Sequence, residues 1–197
     1  LNGSHQALTP TTHHPSPVFV AGSSWLPDEE IFLKYFNLHP EWKLIIAPHV
    51  IGEDHLAAIE ALLPHRKVVR YTQANETNVL DAEVLLIDCF GLLSSIYRYG
   101  CVAYVGGGFG VGIHNVLEAA VWDIPVVFGP NNKHFQEAQG LLAVKGGFEI
   151  IGDEDFAALI DRFCADREAL RRAGEEAGRF VKSRSGASDI ILSGISL

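Results

Sequence analysis

The stretch CVAYVGGGFGVGIHNVLEAAVWDIPVVFGP (residues 101–130) decides how this chain folds. It reads as an apolar run, glycines at positions 106, 107, 108, 110 and 112, a helical pattern over 114–123, and a second apolar run, PVVFGP. Neither apolar run alternates with polar residues. Continuous β-branched runs belong to parallel strands covered on both faces, and parallel strands need a crossover such as the helix between these two. A strand–helix–strand unit of this kind is the building block of a doubly wound sheet.

The pattern repeats on either side. VFVAG, KLIIAP, KVVRYT and VLLID precede it as strand candidates, and FEII follows as a last short one. Helical patterns lie between them, at 27–40, 52–64, 91–100 and 134–144, and two more close the chain at 153–165 and 166–185. In the first helix Pro27 and the acids mark the start, and Ile31, Tyr35 and Leu38 share one face. The fold class expected is α/β, a Rossmann-like doubly wound parallel sheet of about six strands with helices on both faces. Ligands of such sheets bind at the carboxyl ends of the strands. Five points along that edge are informative: Gly22-Ser23-Ser24, Pro48-His49, Asp88-Cys89-Phe90-Gly91, the segment 106–115, and Gly129-Pro130-Asn131-Asn132-Lys133.

The chain has 197 residues, 48% hydrophobic and 20% charged, enough for one globular domain with a full core. Its formal net charge of -9 argues against a general nucleic-acid binder, and no nucleic-acid partner is expected. Cys89, Cys101 and Cys164 follow no CxxC spacing and read as reduced, mostly buried thiols. No apolar run approaches the ~20 residues of a membrane span, and no signal peptide is visible. Residues 1–17 are rich in Pro, Thr and His and carry no hydrophobic period; they read as a linker or an expression remnant, disordered or loosely attached. Residues 18–197 are then expected to form one Rossmann-like domain that includes the C-terminal helices. The chain contains no Met, so it is expected to be part of a longer protein.

The glycine segment satisfies neither the GxGxxG dinucleotide pattern nor the Walker pattern GxxxxGK[ST], and no acid stands about 20 residues beyond it to meet a ribose. What it offers is a glycine-rich strand-to-helix turn, where backbone can approach a ligand and free N–H groups favour an anion. Asn115 reads as a cap or first-turn residue. Glu118 follows His114 by four positions, which places both on one helix face. A phosphate at the tip and a ribose one turn in would describe a nucleotide. A tight packing turn, with Glu118 as an ordinary first-turn acid, is the alternative. Elsewhere the chemistry is thinner. His49 and His55 lack the Cys or acid cluster of a zinc site, and the Ser pairs at 23–24 and 94–95 lack a GxSxG elbow, so neither a metal nor a hydrolase triad is expected. The acids at 153–155 and the charges of the last helix read as solvated faces.

The segment GGGFGVGIHNVLEAAVWDIPVVFGP resembles the donor-site motif of the Kdo transferases, which move 3-deoxy-D-manno-octulosonic acid (Kdo) from CMP-Kdo onto lipid A precursor. That motif runs Gly-Gly, a spacer, Gly-x-His-Asn-x-Leu-Glu, then Pro-Val-x-x-Gly-Pro. AGSSWLPDEE, LIIAPH and LIDCFGLLSSIYRYGCVAYVGG are similar to other stretches of the family, so the resemblance covers most of the chain from residue 18 to about residue 187. It implies the C-terminal half of a GT-B glycosyltransferase, needing no cofactor and inactive without its other half. The implied partners are CMP-Kdo, an N-terminal acceptor-binding domain of the same protein that supplies the general base, and lipid A precursor held by that domain. The implied location is the cytoplasmic face of the bacterial inner membrane. Carried over by position, Gly107, Gly108, Gly112, His114 and Asn115 would surround the CMP phosphate, and Glu118 would take the ribose hydroxyls. Phe90 and Gly91 would border the cytosine. Pro48 and His49 match a Pro-Arg-His motif whose Arg is missing here, and Leu92 stands where many members carry an acid. Ser23 and Ser24 would line the cleft by the sugar, with Lys133 as a substitute cation. A UDP-sugar donor and a non-catalytic nucleotide-binding module are the competing readings.

Overall fold

The computed structural model describes residues 16–194. All seven strand candidates form: β1 (Val18–Ser24), β2 (Lys43–Pro48), β3 (Val68–Arg70), β4 (Val84–Leu86), β5 (Val102–Val105), β6 (Val126–Phe128) and β7 (Gly147–Glu149). They make one parallel seven-stranded sheet in the order β3-β4-β2-β1-β5-β6-β7, one strand more than expected. The chain winds outward from β1 through β2 to β3 and β4, then returns to place β5 on the other side of β1. The order therefore reverses between β1 and β5, and the carboxyl ends of those two strands border the crevice.

The expected two-faced burial is present. Phe19 and Ala21 point to one apolar layer, where they meet Phe32 and Phe36 of α1 (Leu26–Phe36), Leu56 and Ile59 of α2 (Glu53–Ala61) and Phe156 of α6 (Asp153–Ala165). Val20, Ala103 and Val105 point to the other, with Ala119 of α4 (Leu117–Ala120), Leu141 of α5 (Gln136–Ala143) and Ala177 of α7 (Arg167–Gly194). Between β4 and β5 runs one short turn of helix, α3 (Leu93–Ile96). Phe19 is fully buried with Phe32, Phe36 and Phe156 rings at 5.4, 4.7 and 5.7 Å. Each such ring contributes about 1.5–3 kcal/mol by leaving water.

Two helix readings need correction. The first helix ends at Phe36, so Leu38 lies beyond it and is 76% exposed, while Phe32, Leu33 and Phe36 carry the buried face. Asp28 and Glu29, which the sequence marks only as acids at the helix start, are buried as well. The helix expected from His114 shrinks to the single turn of α4, which starts at Leu117. His114 instead donates its N–H back to the Gly106 carbonyl at 3.2 Å, so His114 and Glu118 do not share a helix face. The segment 1–15 of the expected linker lies outside the described residues, and β1 begins at Val18 as expected.

Candidate functional site

The site is built where β1 and β5 end. At Ser23 the pairing of β1 with β2 shifts register between Gly22 and Ser24, and Ser23 takes φ 51. A bulge at a strand end re-aims the chain, and a left-handed non-glycine residue is uncommon. The Ser23 carbonyl lies so close over Gly106 that a Cβ there would stand 2.4 Å from it.

Asp28 locks this corner together. One carboxylate oxygen accepts the Trp25 N–H at 2.9 Å, which caps α1, and the Gly107 N–H at 2.9 Å, which anchors the loop after β5. The other accepts the Tyr104 hydroxyl at 2.8 Å. Burial, and then the Asp28 charge, hold that phenol well above its usual range, so it stays a donor. Glu29, fully buried, accepts Ser24 Oγ at 2.8 Å and His55 Nε2 at 3.1 Å on one oxygen. Its Oε2 has no hydrogen-bond partner among the described residues. Burial raises the Glu29 carboxyl above the ordinary carboxylate range, against the lowering pull of Ser24 and His55.

The glycine loop is mostly a packing device. A Cβ on Gly107, whose φ is +94, would stand 2.2 Å from the Gly112 carbonyl, and one on Gly108 would stand 2.5 Å from the Gly129 backbone. Gly110, by contrast, faces open space. The turn after β6 clamps the loop from the other side: Asn131 donates its side-chain N–H to the Gly110 carbonyl at 2.8 Å and its backbone N–H to the Gly108 carbonyl at 2.9 Å. Buried Asn132 joins that turn to Glu149 and Gln139 through bonds of 2.6 and 2.7 Å.

Beyond the glycines the loop opens. Asn115 Oδ1 accepts the Leu117 N–H at 3.0 Å, the cap-like bond expected of it, and its Nδ2 donates to Glu118 Oε1 at 3.1 Å. The N–H groups of Asn115 and Val116 meet no backbone acceptor among the described residues. His114 belongs to a three-ring cluster: its ring stacks on His49 at 4.5 Å, and His49 stacks on Trp25 at 4.6 Å. Trp25 Nε1 donates to His114 Nε2 in a long bond of 3.5 Å. Burial first, and His49 second, lower the His114 pKa. The imidazole is therefore neutral at neutral pH.

The predicted residues come together in part. Ser24 pairs with Pro48 across β1 and β2, which carries His49 to the His114 ring. Gly107, Gly112 and His114 touch, as do Asn115 and Glu118. Phe90 is 80% exposed, and Gly91 holds φ +92 in open space, at the end of β4 on the same edge. From there the chain crosses back under β1, where Leu93 and Tyr97 pack on Gly22. Lys133 is exposed. Sequence reasoning missed Trp25, Asp28, Glu29, Asn131 and Asn132 as parts of the site. Two adjacent acids and an aromatic after a strand-ending Ser-Ser pair were the available signal. Among the described residues no group of His, Cys, Asp and Glu could hold a metal ion. A groove of about 1200 Å³ lies elsewhere, along β7, α6 and α7, and none of the predicted site residues lines it.

A parallel sheet with this reversal point, and a polar loop at its carboxyl edge, defines a Rossmann-like half of a GT-B glycosyltransferase fold. No protein-family model matches the chain. The C-terminal CMP-Kdo binding domain of WaaA from Acinetobacter baumannii superposes with a TM-score of 0.74 and 22% identity, covering 85% of this chain and 90% of that one. The 3-deoxy-D-manno-octulosonic acid transferase of Aquifex aeolicus is 31% identical over 169 residues, 83% of this chain and 46% of the relative. A bifunctional glycosyltransferase/methyltransferase of Fusobacterium nucleatum is 32% identical over 170 residues, 84% of this chain and 26% of the relative. The chain is related to the Kdo transferases and spans less than half the length of these curated relatives. Among the described residues no helix is long and apolar enough to cross a membrane.

Proposed function

We propose that this chain is the donor-binding domain of a Kdo transferase and holds CMP-Kdo at the reversal point between β1 and β5. The observation that carries the reading is the half-open turn of His114, Asn115 and Glu118. It presents two backbone N–H groups without backbone partners, a neutral imidazole and a carboxylate braced by Asn115. The N–H groups and Asn115 receive the phosphate, and Glu118 the ribose hydroxyls. Because α4 is one turn long, these local donors carry the anion and the helix dipole adds little. Exposed Phe90 and the open backbone at Gly91 offer a face and an edge to the base. Gly107, Gly108 and Gly112 shape the cradle from behind, Ser23 and Ser24 border the sugar, and exposed Lys133 serves as a substitute cation.

In the whole enzyme the same donors stabilise negative charge on the departing CMP while an acceptor hydroxyl attacks with inversion. The acceptor, a lipid A precursor, is bound by an N-terminal domain that also supplies the general base, at the cytoplasmic face of the inner membrane. The relative from Aquifex aeolicus, a 3-deoxy-D-manno-octulosonic acid transferase, supports the Kdo-transfer part of this reading. The test is a titration of the chain with CMP, UDP and NAD, read by calorimetry and thermal shift. CMP is expected to bind and to raise the melting temperature more than the others. Asn115→Ala is expected to weaken CMP about tenfold while leaving the unliganded melting temperature within a few degrees. Unchanged CMP affinity in that variant overturns the assignment of Asn115, and a preference for UDP overturns the CMP-Kdo reading.

A further inference from the structure

Trp25 is given no role toward the donor in the proposed function, yet it touches both histidines of the site. Its face lies on His49 at 4.6 Å and 25°, and its Nε1–H reaches His114 Nε2 at 3.5 Å. The adjacent His114 Cδ2 packs 3.3 Å from where a Cβ on Gly107 would stand. One edge of the imidazole is thus turned toward protein. On the opposite edge, Nδ1 has no protein partner among the described residues. A neutral imidazole carries one donor nitrogen and one acceptor nitrogen, and the partner of one decides the role of the other. An indole N–H can only donate, so the nitrogen it meets must be the acceptor.

We propose that Trp25 is a positioning residue for donor recognition: its indole N–H holds His114 as the Nδ1–H tautomer, so that a neutral ring offers Nδ1–H to the phosphate of the bound nucleotide. Protonating Nε2 would set two N–H groups against each other, so the same contact keeps the ring uncharged. The other charged or titratable groups facing this ring are His49 at the end of β2, Asp28 in α1 and Glu118 in α4. His49 opposes a charge on His114, and the two carboxylates favour one. The lowered pKa of His114 means that its neutral form persists below the ordinary histidine value of about 6.5 and is lost as pH falls through the lowered one. The proposal rests on the donor-site reading of His114.

The test uses Trp25→Phe, which keeps an aromatic face on His49 and removes the N–H. Long-range proton–nitrogen spectra of the ring nitrogens report the tautomer directly, with His114→Gln supplying the assignment. In the unliganded native chain at pH 7.5, His114 is expected as Nδ1–H. In Trp25→Phe the Nε2–H form is expected to appear and the His114 titration midpoint to move upward. If the Nδ1–H form falls to roughly a fifth of molecules, CMP affinity falls about fivefold. A native His114 found as Nε2–H overturns the proposal, as does a variant with unchanged tautomer and unchanged CMP affinity. If the native chain binds CMP but shows Nε2–H, the donor-site reading stands and only the role of Trp25 fails. If it shows Nδ1–H but binds no CMP, the donor-site reading itself fails and takes the phosphate contact with it.

Discussion

Residues 106–112 and 113–118 are two halves of one loop, and they spend their unusual residues differently. In the first half, backbone packs on backbone: added side chains at Gly106, Gly107 and Gly108 would overlap Ser23, Gly112 and Gly129 at 2.4, 2.2 and 2.5 Å. In the second half, the N–H groups of Asn115 and Val116 meet no backbone acceptor among the described residues, and exposed Asn115 pairs with Glu118 within the turn. The glycines are therefore a precondition of recognition. They let β1, β5 and β6 close together so that the residues after them can be presented. A glycine cluster by itself reports tight packing, and the polar residues next to it report chemistry.

This contrast can be broken at three points, beginning with the largest effect. Gly108→Ala pushes a methyl group into the Gly129 backbone at 2.5 Å, where neither side can yield by a rotamer change. We expect a loss of about 3 kcal/mol in urea unfolding, with CMP affinity falling alongside it. Asp28→Asn keeps the shape but replaces charge-assisted bonds to Trp25, Gly107 and Tyr104 with neutral ones. A loss of about 1.5 kcal/mol is expected by the same measurement. Gly110→Ala enters open space and is expected to change stability by no more than about 0.5 kcal/mol. If Gly108→Ala and Gly110→Ala prove equally costly, the distinction between a glycine packed on backbone at 108 and one facing open space at 110 is wrong.

Much of the fold was legible because its signals are local. Continuous apolar runs such as KLIIAP and PVVFGP are what strands buried on two faces require, and each one formed a strand. The errors fell where a local pattern was overruled from a distance. NVLEAAV is a helical sequence, but its first turn is lost because His114 bonds back to Gly106 at the end of β5. Leu38 fits the spacing of the first helix, but the chain leaves the sheet before reaching it. The burial of Asp28 and Glu29 went unread because their partners, Gly107, Tyr104 and His55, lie far along the chain. Within the site, the cap-like role of Asn115 could be read directly, but not the break that takes His114 off the helix face of Glu118. The Trp25–His49–His114 cluster could not, since its rings come from three strand ends that meet only in the sheet.

By itself the sequence determined the alternation of strands and helices and the parallel sheet, and it offered a candidate edge and candidate residues for a nucleotide. These follow from periodicity and spacing, which act over a few neighbouring residues. Only the tertiary structure decided which glycines are packed and which are open, where α4 begins, and which partners neutralise the buried acids. Those outcomes depend on contacts across the β1–β5 reversal point, and no local pattern encodes a distance between strand ends so far apart along the chain.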